Sequence, residues 1–385
     1  MNRNIIHEKP IRVLNLFTIM DRGGAETMVM NYYRNINRDK VQFDFIVHRD
    51  QRGAYDDEIE RLGGHIYRFC PIRPWKMKQY KAMITSFFDS HPNYYIIHSH
   101  MSEMGVYILQ EAKNRGVPVR ICHAHNAQVG WDYKTPLRYY YKRLIATETT
   151  HRFVCSEKAG IWLFGKAYVD EFIFMSNAIR TSSFRYNKDT RDRVRTELGI
   201  QDKIVIGHVG RFNTQKNHPF VVKVFSSIHR FSPDTVLILI GDGEEKNRIK
   251  RQVEHLGLKK SVVFLGSRGD VNDLLQAMDA FLFPSKYEGL SLALIEAQTT
   301  GLPCVVSDSI SSESFLTENV NPLSLQLSCD EWANTIISVL NSKTRTDCAD
   351  TIIQKGFDIE SNVKWLEDFY LNVVSHYDNE NEISH

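Results

Sequence analysis

The feature that most constrains the fold of this chain is a regular alternation of short apolar runs with amphipathic helical segments. In the first half of the chain, the apolar runs lie at residues 12–17, 43–48, 65–69, 94–98, 118–123, 151–155 and 172–175. A second series of apolar runs lies at residues 204–209, 235–240, 262–265, 280–283 and 304–306. Such alternation predicts parallel strands in a sheet that helices cover on both faces. We therefore predict an α/β chain with two facing Rossmann-like domains.

The break between the two series predicts the domain boundaries. Residues 180–195 are polar and show no periodicity, which is typical of a linker. A final helical stretch at 359–377 precedes a polar tail. We predict an N-terminal domain over 1–180, a C-terminal domain over 181–358, and a terminal helix with its tail over 359–385. Two facing sheets would place the carboxyl ends of their strands around one cleft, where ligands of such sheets bind.

The composition is that of a soluble globular protein, with 42% hydrophobic and 24% charged residues. The formal net charge of +2 conceals an asymmetry. Residues 1–180 carry 26 Lys and Arg against 18 Asp and Glu, whereas the remainder carries 22 against 28. A basic half favours an anionic partner or a membrane surface, although an uneven distribution of solvated charge explains it equally well.

The cysteines and the apolar runs indicate the compartment. The six cysteines are scattered without paired spacing, which is typical of thiols in a reducing compartment. The first residues lack the apolar core of a signal peptide, and no run reaches the length of a membrane span. We expect a cytoplasmic protein, with the inner face of the cell membrane as a further location.

Two segments interleave basic and aromatic residues, at 75–81 and at 138–143. Lysines could meet lipid phosphates there while aromatic rings lie at the membrane interface. Ordinary surface helices that cover a sheet explain the same pattern. Peripheral membrane association is therefore one open expectation about partners, and no nucleic-acid partner is predicted.

Residues 283–306 contain the strongest functional signal. An apolar strand stops at Pro284, a loop with Glu288 and Gly289 follows, and a helix is predicted from about Ser291 to Thr300. The amide groups from Leu290 to Leu292 would face an anion such as a diphosphate. A carboxylate beside a phosphate is favourable only if it binds hydroxyls, so Glu288 and, on the helix, Glu296 predict a sugar or ribose partner. The alternative is an ordinary crossover with two solvated glutamates.

A second loop supplies positive charge. Arg211 and Lys216 lie between the strand at 204–209 and the helix that follows it. Two cations at the end of a strand can balance a departing diphosphate, although a solvated basic loop is the alternative. The chain contains no Asp-x-Asp pair, with which many enzymes hold a metal ion against a nucleotide diphosphate. We therefore expect cationic side chains to replace the metal, and no cofactor.

Three further features could line the cleft. Gly23 and Gly24 open the first predicted helix, and Gly241 follows the strand at 235–240; both are weak signals that simple turns also explain. Histidines follow two strands, at positions 98, 100, 123 and 125. Metal binding is not expected of them, because no cysteine or carboxylate set nearby in the chain completes a site. Contacts with a sugar or acceptor are predicted instead, with scattered turn histidines as the alternative.

Taken in order, these features resemble the retaining glycosyltransferases of family four, which have the GT-B fold. The Glu-x7-Glu pair within a Pro-Ser-x-x-Glu-Gly segment matches residues 284–296, and the Gly-Arg…Lys loop matches residues 210–218. Ala178 departs from the glycine of the family's Asn-Gly-Ile segment. The resemblance implies an interdomain cleft between an acceptor-binding and a nucleotide-sugar-binding domain. It also implies that helix 359–377 crosses back onto the N-terminal domain.

The same resemblance implies roles for individual residues. Glu288 would contact the donor sugar, Glu296 the ribose, and Arg211 with Lys216 the diphosphate. A histidine near the reacting sugar would be His125, with His123 as its rival. The catalytic set is thus Glu288, His125, Arg211 and Lys216, and the wider donor-binding set adds Gly24, Gly210, Gly241, Leu265, Arg268, Gly289, Leu290, Ser291, Leu292 and Glu296.

The function implied is a retaining, metal-independent hexosyltransferase that uses a nucleotide-diphosphate sugar, with uridine as the expected base. Its acceptor would be a saccharide or a lipid-diphosphate-linked saccharide in the assembly of a bacterial exopolysaccharide or capsule. Two alternatives remain open at this point. One is a non-catalytic GT-B subunit of a polysaccharide-assembly complex, and the other is a GT-B sugar-nucleotide epimerase.

Overall fold

Each series of apolar runs forms its own parallel sheet. The computed structural model describes residues 9–125, 135–342 and 345–383. The chain divides into two units, of which unit 1 comprises Met1–Ala178 with Ile359–His385 and unit 2 comprises Ile179–Asp358. The two Rossmann-like domains of the predicted fold class are thereby confirmed.

In the described part of unit 1, seven parallel strands form one sheet. They are β1 Ile11–Phe17, β2 Val41–Val47, β3 Ile66–Arg68, β4 Ile96–Ser99, β5 Val119–Ala124, β6 His151–Val154 and β7 Phe172–Phe174, in the order β3-β2-β1-β4-β5-β6-β7. The helices around it are α1 Gly24–Asn35, α2 Asp56–Arg61, α3 Met77–Ser90, α4 Val106–Asn114, α5 Thr135–Glu148 and α6 Glu157–Phe164. All seven residues of β2 are buried, as expected of a strand with helices on both sides of its sheet.

Unit 2 repeats this arrangement with six described strands. They are β8 Ile204–Val209, β9 Thr235–Ile240, β10 Val262–Gly266, β11 Ala280–Phe283, β12 Cys304–Ser307 and β13 Val320–Leu323, in the order β10-β9-β8-β11-β12-β13. Its helices are α7 Lys188–Leu198, α8 His218–Phe231, α9 Lys246–His255, α10 Val271–Ala277, α11 Leu292–Thr299, α12 Cys329–Ser342 and α13 Ala349–Gln354. The sequence analysis missed β13 because this edge strand is only partly buried and contains a proline.

The stretch interpreted as a linker contains helix α7, so that interpretation is wrong for residues 188–195. The buried side of α7 combines Val194 and Leu198 with arginines, so its apolar period is incomplete. Arg191 and Arg195 both pair with Asp279, which lies just before β11. The capping residues at the two ends of α7 were the sequence signal that could have predicted this helix. Asn187 Oδ1 accepts a hydrogen bond from the Thr190 N–H at 2.8 Å, and Gly199 takes the left-handed conformation at the other end.

The last helix, α14 (Ile359–Ile383), packs on unit 1, as predicted. Leu366 is fully buried, and the Lys40 Nζ lies 2.9 Å from Glu367 Oε1. Tyr370 is also fully buried, and its hydroxyl lies 2.8 Å from His98 Nδ1. Among the described residues, no helix combines the length and apolar character needed to cross a bilayer.

The strand order determines where a ligand can bind. In each sheet the order reverses next to the first strand, between β1 and β4 in unit 1 and between β8 and β11 in unit 2. Ligands of open α/β sheets bind beyond the carboxyl ends of the strands at such a point. The loops after β8 and β11 are therefore the place to examine in unit 2.

Candidate active site

The loops that follow β8 and β11 are held together by hydrogen bonds. The Lys286 N–H donates to the Gln215 carbonyl at 2.9 Å, and Gln215 Nε2 donates to the Tyr287 carbonyl at 3.0 Å. Asn217 Nδ2 donates to the Pro284 carbonyl at 3.2 Å. Sequence reasoning did not single out Gln215 or Asn217. These bonds bring the predicted basic loop and the predicted carboxylate loop to one place.

Lys216 and Glu288 form an ion pair at this junction. Lys216 Nζ lies 2.8 Å from Glu288 Oε1, and the two side chains are only 15% and 10% exposed. The same ammonium lies 4.6 Å from the centre of the Phe283 ring, within the range of a cation–π interaction. Glu288 Oε1 has no partner in hydrogen-bonding geometry among the described residues. This oxygen is buried against the Lys216 ammonium, so the ion pair would have to open before Glu288 Oε1 could accept a hydrogen bond from a ligand hydroxyl.

Two glycines allow close packing around Lys216 and its loop. A Cβ at Gly210 would lie 3.0 Å from Lys216 Cδ, so a larger residue would displace the lysine chain. Gly241 has φ +138°, and a Cβ there would lie 2.1 Å from the Gly210 carbonyl oxygen. The loop after β9 thus packs directly on the loop after β8, at a distance that only glycine allows.

A fourth loop, which follows β12, supports the carboxylate loop. The Ser311 N–H donates to the Glu288 carbonyl at 3.2 Å, and Ser314 Oγ donates to the Gly289 carbonyl at 2.9 Å. Sequence reasoning missed both serines. Their position after a strand that neighbours β11 was the available signal, because the carboxyl ends of parallel strands meet at one edge of the sheet.

Helix α11 begins at Leu292, with Ser291 at its N-cap and Leu290 in the loop before it. The predicted helix start is therefore displaced by one residue. Glu296 lies in the second turn of α11, and its burial raises the pKa of its carboxyl from 4.5 to about 7. A carboxyl with this pKa changes its charge near neutral pH.

The structure does not bring the other predicted cations of unit 2 to the Lys216–Glu288 pair. Arg211 is 71% exposed, and its Nη2 lies 3.7 Å from Glu244 Oε2. Arg268 forms an ion pair at 2.6 Å with the nearby Asp270. Leu265 lies in β10 and is partly buried against the apolar core of unit 2.

The remaining predicted residues belong to unit 1. Gly24 is the first residue of α1, and a Cβ there would meet no atom within 4 Å. His125 follows β5, and its Nε2 lies 2.9 Å from His100 Nδ1. Burial lowers the pKa of His125 to about 4, so its ring is neutral at physiological pH. Asn126, which follows His125 in the predicted motif, lies outside the described residues.

Comparisons with known proteins show the family of the chain. The family described as glycosyl transferases group 1 matches residues 190–355, and the family described as glycosyltransferase family 4 matches residues 22–165. The chain is 34% identical over 368 residues to EpsF of Bacillus subtilis (strain 168), which is provisionally named as a glycosyltransferase. That match covers 93% of this chain and 96% of EpsF. The chain belongs to the group 1 glycosyltransferases. As predicted, it is an enzyme of the hexosyltransferase type.

This glycosyltransferase is similar to two further proteins, one by sequence and one by structure. It is 29% identical over 296 residues to the UDP-Gal:alpha-D-GlcNAc-diphosphoundecaprenol alpha-1,3-galactosyltransferase of Escherichia coli, a match that covers 73% of this chain and 76% of that enzyme. Its structure is similar to that of Anabaena HepE in complex with UDP-glucose, with a TM-score of 0.72 and 19% identity over 97% and 100% of the two chains. The likeness to HepE shows the fold, which is GT-B as the sequence predicted.

Proposed function

We propose that this glycosyltransferase moves a sugar, with retention of configuration, from a uridine-diphosphate sugar to a saccharide or a lipid-diphosphate-linked saccharide in polysaccharide biosynthesis. The observation that carries the proposal is the Lys216–Glu288 ion pair at the junction of the β8 and β11 loops. It combines a cation for a diphosphate with a carboxylate for sugar hydroxyls. The names of relatives support the acceptor class, since one is the diphosphoundecaprenol galactosyltransferase and another is the capsular polysaccharide biosynthesis glycosyltransferase CapH of Staphylococcus aureus.

Each proposed contact serves the transition state. Lys216 stabilises the negative charge that grows on the diphosphate as the bond to the sugar breaks, and the exposed Arg211 side chain can turn to the same charge. Glu288 accepts hydrogen bonds from the donor sugar, and Glu296 accepts them from the ribose. The acceptor hydroxyl attacks from the face that the phosphate leaves, and a departing phosphate oxygen takes its proton. His125, neutral at physiological pH, can hydrogen-bond a hydroxyl of the reacting sugar.

The donor site is proposed to work without a metal ion. Within the described residues, unit 2 contains no group of three metal-ligating side chains close enough to share an ion. Its diphosphate would instead meet Lys216 and Arg211, together with Gly289, Leu290 and Ser291 at the start of α11. Charged side chains of this kind form hydrogen bonds to phosphate about twice as strong as neutral ones.

The test is the binding of UDP, and of a UDP sugar, measured by calorimetry in the presence of a chelator. Lys216→Met should raise the Kd for UDP about tenfold to a hundredfold, because a hydrogen bond to a charged group contributes about 1.5–3 kcal/mol. Lys286→Met is the matched control, since Lys286 is an exposed lysine of the adjoining loop and should leave the Kd unchanged. Equal UDP binding by wild type and Lys216→Met would disprove the diphosphate assignment.

Product analysis separates transfer from epimerisation. With donor and acceptor together, the proposal expects a lengthened acceptor whose new linkage has the anomeric configuration of the donor. An inverted anomer would remove the retaining mechanism and leave the donor site intact. Conversion of the donor to its epimer without any acceptor would replace the transferase by an epimerase.

We also propose peripheral association of unit 1 with an anionic membrane surface, which would place the enzyme at the inner face of the cell membrane. Trp75 is 77% exposed, and Tyr139 and Tyr140 on α5 are 60% and 59% exposed, beside basic residues. Aromatic and basic side chains of this kind bind lipid interfaces. Sedimentation with anionic vesicles tests this directly. The double variant Trp75→Ser, Tyr140→Ser should remain in the supernatant. If wild type sediments with neutral vesicles as well as with anionic ones, the charge argument is wrong.

A further inference from the structure

Two His-x-His pairs that are separated in sequence meet in unit 1. One pair, His98 and His100, lies at the end of β4, and the other, His123 and His125, lies at the end of β5. β4 and β5 are neighbours in the sheet, so their ends are adjacent. His98, His100 and His123 each offer a ring nitrogen, and the three nitrogens lie within 4.8 Å of one another. The sequence analysis expected no metal because no cysteine or carboxylate set nearby in the chain completes a site, and the fold instead brings together three histidines from two neighbouring strands.

The hydrogen bonds around the cluster orient two of the rings. Asn15 Nδ2 donates to the carbonyls of Val13 and Asp44, which leaves its Oδ1, 3.3 Å from His100 Nε2, as an acceptor. His100 Nε2 therefore carries the proton, and its Nδ1 carries a lone pair. His98 Nδ1 lies 2.8 Å from the Tyr370 hydroxyl, so its other nitrogen, Nε2, is available on the opposite side of the ring.

Three nitrogens of the cluster have no hydrogen-bond partner among the described residues. They are His98 Nε2 and both ring nitrogens of His123. His98 and His123 are 1% and 0% exposed, so a saccharide cannot reach these atoms. Buried polar atoms are almost always satisfied, and a single ion would satisfy His98 Nε2 and one ring nitrogen of His123.

We propose that His98, His100 and His123 bind one divalent cation of the zinc class. Three neutral imidazoles without thiolate or carboxylate suit zinc and its neighbours rather than magnesium or calcium, and they leave a fourth position for water. Tyr370, on α14, acts as a positioning residue for the His98 ring. The ion would thus join β4 and β5 and, through Tyr370, the last helix of the chain. The ion would bind His100 through the lone pair of Nδ1. The Nε2–H of His125, which donates a hydrogen bond to that lone pair, would then lose its acceptor.

The ligands of this site belong to unit 1, whereas the Lys216–Glu288 pair belongs to unit 2. The experiment uses the full chain, stripped with a chelator, dialysed and titrated with Co²⁺ while the visible absorption of the metal is recorded. Wild type should bind one equivalent, and Zn²⁺ should displace it. UDP calorimetry on the same samples reports the donor site separately, so failure of one assignment leaves the other measurable.

Variants identify the ligands. His123→Gln should abolish the Co²⁺ absorption, and Tyr370→Phe, which keeps the buried ring, should weaken Co²⁺ binding about tenfold. His218→Gln is the matched control, because His218 in unit 2 is also fully buried with both ring nitrogens unpaired among the described residues. Its Co²⁺ binding should equal that of wild type.

Absence of stoichiometric Co²⁺ binding by wild type would overturn the proposal, whatever the variants do. Undiminished binding by both His123→Gln and His98→Gln would also overturn it, because the ion would then lie elsewhere. If His123→Gln fails to fold by circular dichroism, the wild-type titration and Tyr370→Phe still decide.

Discussion

At the scale of single residues, the central feature is that the charge of Lys216 is balanced by that of Glu288. Neither charge is left alone in a largely buried place, which would cost several kcal/mol. Under the proposed function, a diphosphate would replace the carboxylate as the partner of Lys216, and the donor sugar would then take up the hydrogen bonds of Glu288.

Glu296 leads to a prediction about pH at this same scale. Its pKa is raised from 4.5 to about 7 by burial, so the folded state favours the protonated form. Stability is therefore lost as the pH rises from about 4.5 to about 7, because the unfolded chain ionises first. Glu296→Gln should remove this loss and be more stable than wild type at pH 8 by about 2–3 kcal/mol, and equal to it at pH 4.

Urea unfolding of the two proteins at pH 4, 6 and 8 measures the difference. If the free energies of unfolding of wild type and Glu296→Gln change in parallel from pH 4 to pH 8, the carboxyl of Glu296 does not titrate in this pH range. UDP affinity should fall in Glu296→Gln at pH 8, since an ionised carboxylate accepts stronger hydrogen bonds from ribose hydroxyls than an amide does.

At the scale of elements, the site depends on how closely three βα loops approach one another. The loops after β8, β9 and β11 carry Lys216, Gly241 and Glu288, and each contacts the β8 loop or belongs to it. Strands fix the starting points of these loops, and glycines allow the final approach. The chemistry of the site is thus a consequence of backbone packing at one edge of the sheet.

Gly241→Ala tests this packing. The added Cβ would lie 2.1 Å from the Gly210 carbonyl oxygen, at a φ of +138° that other residues rarely adopt. We expect a loss of about 2–4 kcal/mol in the stability of unit 2 and weaker UDP binding, because the β8 loop must move.

Gly269→Ala serves as the control, since a Cβ at Gly269 meets no atom within 4 Å. Its stability should stay within about 0.5 kcal/mol of wild type. Thermal unfolding with and without UDP measures both effects. Unchanged stability of Gly241→Ala would mean that the β8 and β9 loops can separate at little cost.

At the scale of the whole molecule, the chain leaves unit 1 at residue 178 and returns to it at residue 359. Unit 1 is therefore completed only by the last helix of the chain. Leu366→Ala should destabilise unit 1 by about 2–5 kcal/mol, because it creates a cavity at a fully buried position of α14.

The exposed Lys364→Ala on the same helix should change stability by less than about 0.5 kcal/mol. Scanning calorimetry in the presence of UDP distinguishes the units, since UDP should raise the transition of unit 2 alone. If Leu366→Ala lowers the transition temperature of unit 2, which UDP raises, as much as that of unit 1, the two units unfold together.

Much of this architecture could be predicted from the sequence because burial on both faces leaves a readable apolar run. Twelve of the thirteen strands described were predicted in this way, and β13 was missed because it is a half-exposed edge. The periodicity failed again at α7. Its buried face combines apolar side chains with two guanidinium groups, and the partner of those groups, Asp279, lies 84 to 88 residues away.

The sequence alone determined the α/β class, the two domains and the residue types of the donor site, since these depend on local periodicity and on short motifs such as Glu288 to Glu296. Only the tertiary structure decided which of those residues touch. It paired Lys216 with Glu288 across 72 positions, left Arg211 in solvent, and brought His98 and His100 to His123. The physical reason is that the order of strands in a sheet sets the contacts between loops. The spacing of residues along the chain does not determine that order.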